Sequence, residues 1–195
     1  MNLGDITNLV IAVTSTVAIL IAVYTFWKQN NQAKQFLGIQ ILREWESFFF
    51  SSPDMCRRRY VTCRFFKSGA KTDVPYEAWD VLDTFDSIAT YFNRGIVEDD
   101  LAWSTYYYWL DMYWYLLKPH VDALHASTEG VPYLKDVDEM YRKLTKFGER
   151  NKKLPSLKLR FTDATVAEFI NDEMRATYDP DWDVDDTGRE PVEPR

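Results

Sequence analysis

Three consecutive arginines, Arg57, Arg58 and Arg59, followed by Arg64 and Lys67, form the densest group of chemistry-bearing side chains in this chain. On one helix such a group attracts phosphates, whether of anionic lipid headgroups or of nucleic acid. It serves equally as a salt-bridging face within or between subunits. A second basic stretch, "RKLTKFGERNKKLPSLKLR", holds only Phe147 and the distal Phe161 as aromatics, too few for a base-stacking surface. Residues 106–115 include seven Tyr or Trp among ten positions. That density suits a cage around a cation or flat ligand, or the core of a bundle or an oligomer interface.

Other candidate chemistry is thin. His120 and His125 are five residues apart, whereas metal-binding pairs on a helix sit four apart. Asp80, Asp83 and Asp86 read as a hydrated helix face rather than as acid–base carboxylates. The tail "DPDWDVDDTGRE" places Asp179, Asp181, Asp183, Asp185 and Glu190 at positions 1, 3, 5, 7 and 12 of a calcium loop. Val184 stands where that loop needs glycine, and Pro191 hinders the helix that should follow. No P-loop, G-x-S-x-G, H-E-x-x-H or Gly-rich nucleotide fingerprint is present. The reading therefore assigns no catalytic residue, no metal and no cofactor.

Helices must position these groups. Leu37, Ile41, Trp45 and Phe48 recur at helical spacing, and no proline interrupts residues 28–50. Ser52 is an N-cap candidate with Pro53 at the first helical position, and Gly69 ends the helix that carries the arginines. "DVPYEAWDVLDTFDSIATYFNRG" is the cleanest amphipathic helix: Val81, Leu82, Phe85, Ile88, Ala89 and Phe92 share an arc of about 120°. Asp80 and Asp83 point away from it, and Gly95 terminates it. From residue 101 to 117 only Asp111 is charged, so that helix is expected to be enclosed by others. "VPYLKDVDEMYRKLTKFGERN" and "FTDATVAEFINDEMRATY" read as two more helices, and the acidic, proline-bearing end as a disordered tail.

The N-terminal part differs in kind. Residues 6–27 contain no formal charge over 22 positions, a helix of roughly 33 Å against a hydrocarbon core of about 30 Å. Asp5 stands where an export signal would be positive, and "VYTFWKQ" offers no small-residue cleavage site. Lys28, Lys34 and Arg43 follow the span, which orients the N-terminus outside and the body in the cytoplasm. Thr14, Ala18 and Ala22 repeat every four residues, a small-residue stripe suited to close helix approach. On an upright rod the arginine helix stands roughly 40 Å from the bilayer, beyond the ~8 Å screening length, which favours protein or nucleic-acid partners over lipid.

Bulk properties are consistent with one folded domain behind that span. The chain has 195 residues, 46 % apolar and 16 % aromatic, with a net charge of −7. The charge is segregated: residues 28–71 carry +6, 72–141 carry −11, 142–160 carry +7 and 161–195 carry −8. Such blocks imply complementary faces, inside one subunit or between subunits. Cys56 and Cys63 on one helix lie about 10 Å apart, beyond the ~7 Å limit for a disulfide, so both are expected to be free thiols.

In order along the chain, the apolar span, "REW" at 43–45, "SPDMCRRR" at 52–59, "DTFDSIATYFNRGIVEDDL" at 83–101 and "YWLDMYWYLLKPHV" at 108–121 resemble an uncharacterised bacterial family of small single-pass proteins. The resemblance covers residues 6–145 and implies an N-terminal membrane helix with a cytoplasmic all-helical domain, without an activity. More distantly, the layout is similar to the small transmembrane accessory proteins of RNA-targeting CRISPR systems. That resemblance implies a ring-shaped membrane pore in antiphage defence and a ribonuclease-like fold marked by Arg and, four to six residues later, His. No Arg lies within seven residues before His120 or His125, so ribonuclease chemistry does not carry over.

The expected architecture is all-α: residues 1–5 extracytoplasmic, a transmembrane helix at 6–27, a cytoplasmic bundle of about five helices at 28–178, and a disordered acidic tail at 179–195. The expected role is a non-enzymatic interaction or oligomerisation module of the bacterial inner membrane, its partners the lipid bilayer and either a second copy or another protein. The alternative is a membrane-tethered effector or pore component that binds nucleic acid through Arg57, Arg58, Arg59, Arg64 and Lys67. In either case Thr14, Ala18 and Ala22 are the expected contacts between helices in the membrane.

Overall fold

The computed structural model describes residues 3–127 and 133–179, except for the side chains of residues 3, 5–10 and 12. Those residues form seven helices and no strand: α1 Leu3–Ser51, α2 Pro53–Lys67, α3 Tyr76–Asn93, α4 Asp99–Ser127, α5 Lys135–Asn151, α6 Leu157–Arg160 and α7 Asp163–Thr177. The calcium-loop reading of the tail falls, apart from Asp179, outside the described residues.

Local chemistry explains where the elements stop. α1 runs unbroken because no proline interrupts it, and it ends where Ser52 leaves helical geometry to cap α2, accepting from the Met55 N–H at 3.4 Å. Beyond α2, Gly69 takes φ +73, and Gly95 takes φ +68 just past α3. α7 opens with Thr162 and Thr165 exchanging side-chain and backbone hydrogen bonds. α4 runs through Pro119 to Ser127, so both histidines lie within it.

The core gathers on the second half of α1. Leu42, Trp45 and Phe49 pack with Val81, Leu82 and Phe85 of α3 and with Tyr106, Leu110, Tyr113 and Leu117 of α4. Trp45 stacks on Phe49 at 4.6 Å and reaches Phe85 at 5.5 Å and Tyr106 at 5.4 Å, so one aromatic layer ties α1, α3 and α4 together. α2 holds α7 on one side of this core, and α5 closes the other against α3 and α4. At Gly38 the backbones come so close that an added Cβ would sit 2.5 Å from the Ile96 carbonyl oxygen, which only glycine permits.

Two expectations about side-chain placement need correcting. α4 is not enclosed all round: Tyr106 and Tyr113 are fully buried, but Tyr108 and Tyr115 are exposed, because α7 and the 152–162 connection cover that side incompletely. Asp80 does not point away into water. It is buried and paired with Arg58 of α2 at 2.9 Å, because α2 packs across the start of α3.

The first half of α1 stands apart from this domain. Ile11, Val13, Val17, Ile19, Leu20, Ile21, Val23, Tyr24, Phe26 and Trp27 are between 49 % and 72 % exposed, and they lie on every side of the helix. Nearer the bundle, α1 makes tertiary contacts at Gln35, whose amide donates to Glu98 at 2.8 Å, and at Gly38. Among the described residues no helix is long and apolar enough to cross a membrane. The expected span at 6–27 draws its first residues from the side chains outside the description.

Candidate functional site

The arginine triplet is split by helix geometry, since successive residues on α2 point about 100° apart. Arg58 faces α3 and pairs with Asp80 at 2.9 Å and with Asp54 at 2.8 Å. Arg59 faces inward and is 2 % exposed, so its expected place on a binding face is corrected. Its Nε donates to Glu173 Oε2 at 2.8 Å, Nη2 to Oε1 at 2.9 Å, and Nη1 to the Phe49 carbonyl at 2.8 Å. Arg57 and Arg64 are half-buried and only Lys67 is exposed, so the five basic residues do not form one outward surface.

Glu173 is the centre of this buried hub. Besides Arg59 it accepts from Tyr113 Oη at 2.8 Å and from Trp109 Nε1 at 3.0 Å. One α7 carboxylate thereby joins α2 and α4, and through Arg59 it reaches the last turn of α1. The guanidinium lies 4.3 Å from the Phe49 ring centroid, adding a cation–π contact. Burial alone would lower the Arg59 pKa, but Tyr113 and Glu173 outweigh it and raise it above the ordinary arginine value. Burial, with Glu173 adding to it, pushes the Cys63 thiol up to about 12, and its sulfur lies 3.8 Å from Tyr113 Oη. Such a thiol is no nucleophile.

A second buried pair lies on the other side of α4. Arg160, on the short α6, donates from Nη1 to Asp111 Oδ2 at 2.7 Å and to Tyr107 Oη at 2.6 Å. The two side chains are 8 % and 9 % exposed. Tyr141 of α5 donates to Asp111 Oδ1 at 3.0 Å, and Tyr107 meets Thr145 at 3.0 Å. Burial raises the Asp111 carboxyl above the usual carboxylate range despite these donors. Beside the pair opens a cleft of about 530 Å³ lined by Trp103, Tyr107, Tyr108, Trp109, Arg160 and Glu168 among others. A second cleft of about 420 Å³ lies between α1 and α3, where Trp45, Phe48, Arg58 and Asp80 line it.

The remaining expected residues are dispersed. Thr14, Ala18 and Ala22 lie exposed on the free half of α1. His120 packs beside Phe65 and Phe66, and His125 meets the Tyr133 carbonyl at 2.7 Å. No group of three or more ligating side chains suited to a metal occurs among the described residues. Cys56 and Cys63 are both free thiols.

Glu173 and Arg160 were missed in the sequence, although a signal existed for each. Glu173 follows Phe169 and Ile170 at core spacing on α7, and Asp111 is the lone charge of an apolar helix segment, which demands a buried partner. No protein-family model, no curated protein and no solved structure matches the chain.

Proposed function

We propose that this chain is a membrane-anchored, non-enzymatic interaction module, with α1 as both anchor and first helix of the domain. The observation that carries the reading is the free half of α1. Its apolar side chains face outward in all directions over four turns, with no part of the domain against them. A surface helix in water keeps one polar face; an apolar helix with no polar face belongs inside a protein or a bilayer. Covering the ten exposed apolar side chains there is worth on the order of 10–20 kcal/mol. Residues 6–27 form the spanning segment, the N-terminus lies outside, and the bundle lies on the cytoplasmic side next to Lys28 and Lys34. Thr14, Ala18 and Ala22 allow two such helices to approach closely, so the anchor also assembles copies.

The nucleic-acid alternative loses support, because Arg58 and Arg59 are committed to internal ion pairs. Fractionation tests the anchor: the full chain stays with membranes through high-salt and alkaline washes and is released by detergent. A reporter placed after Arg195 is active in the cytoplasm. Recovery in the wash, or a reporter active only outside, refutes the reading. Replacing Thr14, Ala18 and Ala22 together with leucine lowers cross-linking between copies if the stripe is the contact.

A further inference from the structure

One side of α2 has a polarity that neither the anchor nor the core explains. Arg57, Tyr60, Arg64 and Lys67 recur at intervals of three, four and three residues, which gathers them within an arc of about 80°. Arg58 and Arg59 point elsewhere, to Asp80 and Glu173. Asp54 is the one carboxylate of α2, and it pairs with Arg58 at 2.8 Å. Three cations thus follow one another along about 15 Å of helix around a tyrosine, with no carboxylate of α2 among them.

The end of the chain sets out from this same face. α7 stops at Thr177, and the Tyr178 ring packs against Tyr60 with centroids 5.9 Å apart. Asp179 follows, and residues 180–195 lie outside the described ones. Those 16 residues hold six carboxylates, Asp181, Asp183, Asp185, Asp186, Glu190 and Glu193, against two arginines. Fully extended they reach about 50 Å, more than the roughly 22 Å length of α2. In an extended chain Asp181, Asp183 and Asp185 share one edge and span about 14 Å, close to the separation of Arg57 and Lys67 along the helix. Composition alone reads such an end as disordered, because it has little to bury. A basic face at its root gives it a partner. Each exposed ion pair is weak, but a segment tethered beside its partner meets it at an effective concentration of about millimolar.

We propose that the acidic segment from Asp181 to Asp186 seats on the basic face of α2, its carboxylates meeting Arg57, Arg64 and Lys67 around Tyr60. While it is seated, nucleic acid and anionic lipid are kept from that face. The contact is independent of the membrane reading, since it needs only α2, α7 and the chain that follows.

Zero-length cross-linking of the full chain in detergent micelles tests it. A carbodiimide joins Lys67 to carboxylates in contact with it, and mass spectrometry locates the links. Lys135 and Lys146, exposed on α5, which packs on α3 and α4 rather than α2, measure chance encounters. Links from Lys67 to residues 181–186 exceed those from either α5 lysine tenfold or more, and about 0.5 M NaCl lowers them fivefold or more. R57Q/R64Q lowers them likewise, with circular dichroism checking that the variant keeps its helices; the salt series on the unaltered chain decides if it does not. Mixing chains labelled with two nitrogen isotopes separates a segment seated on its own α2 from one seated on a second copy. Lys67 links no more frequent than those of α5 overturn the proposal. So do links indifferent to salt, and links that form mainly between chains of different isotope.

Discussion

Glu173→Leu is the most informative single change in the bundle. Among the described residues its carboxylate is the only counter-charge that contacts Arg59, and the two side chains are 7 % and 3 % exposed. Removing one member of such a pair leaves a buried charge unpaired and costs about 3–5 kcal/mol. Tyr113 Oη and Trp109 Nε1 lose their acceptor as well, each worth about 1 kcal/mol, which places the cost at the upper end of that range. Against a total stability of about 5–15 kcal/mol this is a large fraction, and Tm falls by roughly 6–20 °C. The double variant R59M/E173L removes both charges. It recovers at least ~2 kcal/mol relative to the sum of the single variants, because no ion remains buried alone. Urea unfolding in mild detergent, followed by tryptophan emission, measures all three, since Trp45, Trp79, Trp103, Trp109 and Trp114 lie in or against the core. A cost for E173L below about 1 kcal/mol, or additivity in the double variant, refutes the claim that this pair holds α7 in place.

Other expectations follow from particular contacts. Gly38→Ala drives a Cβ into the Ile96 carbonyl and lowers stability by about 1–3 kcal/mol in the same urea assay, whereas a neutral result would mean that α1 is not held against that loop. Burial, then Asp136 and Asp83, raise the Asp86 pKa, so the folded state keeps that proton to higher pH than the unfolded chain does. Stability from this group therefore falls as pH rises from the usual carboxylate value through the raised one; D86N raises Tm at pH 7, and its advantage disappears once Asp86 is protonated in acid. In a C56S variant Cys63, fully buried with its thiol pushed up to about 12, stays unlabelled by a thiol reagent until urea is added; labelling of the native protein would place it elsewhere.

Much of the helical layout was legible because it depends on neighbours in the chain. The Ser52–Pro53 start, the Gly69 and Gly95 stops and the apolar arc of α3 are local signals, and each recurs in the fold. Opposite charge blocks were also legible. Arg58 meets Asp80, Arg160 meets Asp111, Lys152 meets Asp100 and Arg59 meets Glu173, each pair joining a basic block to an acidic one. The cleft beside Arg160 was not legible, because its walls come from α4, the 152–162 connection and α7, which no spacing rule brings together.

By itself, then, the sequence determined helix content, helix starts and stops and the apolar front of α1, since periodicity and capping act within a few residues. The roles of the three adjacent arginines were decided only in three dimensions. A turn of about 100° per residue sends Arg58 toward α3 and Arg59 inward, and it is the neighbour that makes the first a half-buried ion pair and the second a buried hub. The lone Asp111 and the core-spaced Glu173 announced that partners were needed. Tertiary packing chose them, 49 and 114 residues away along the chain.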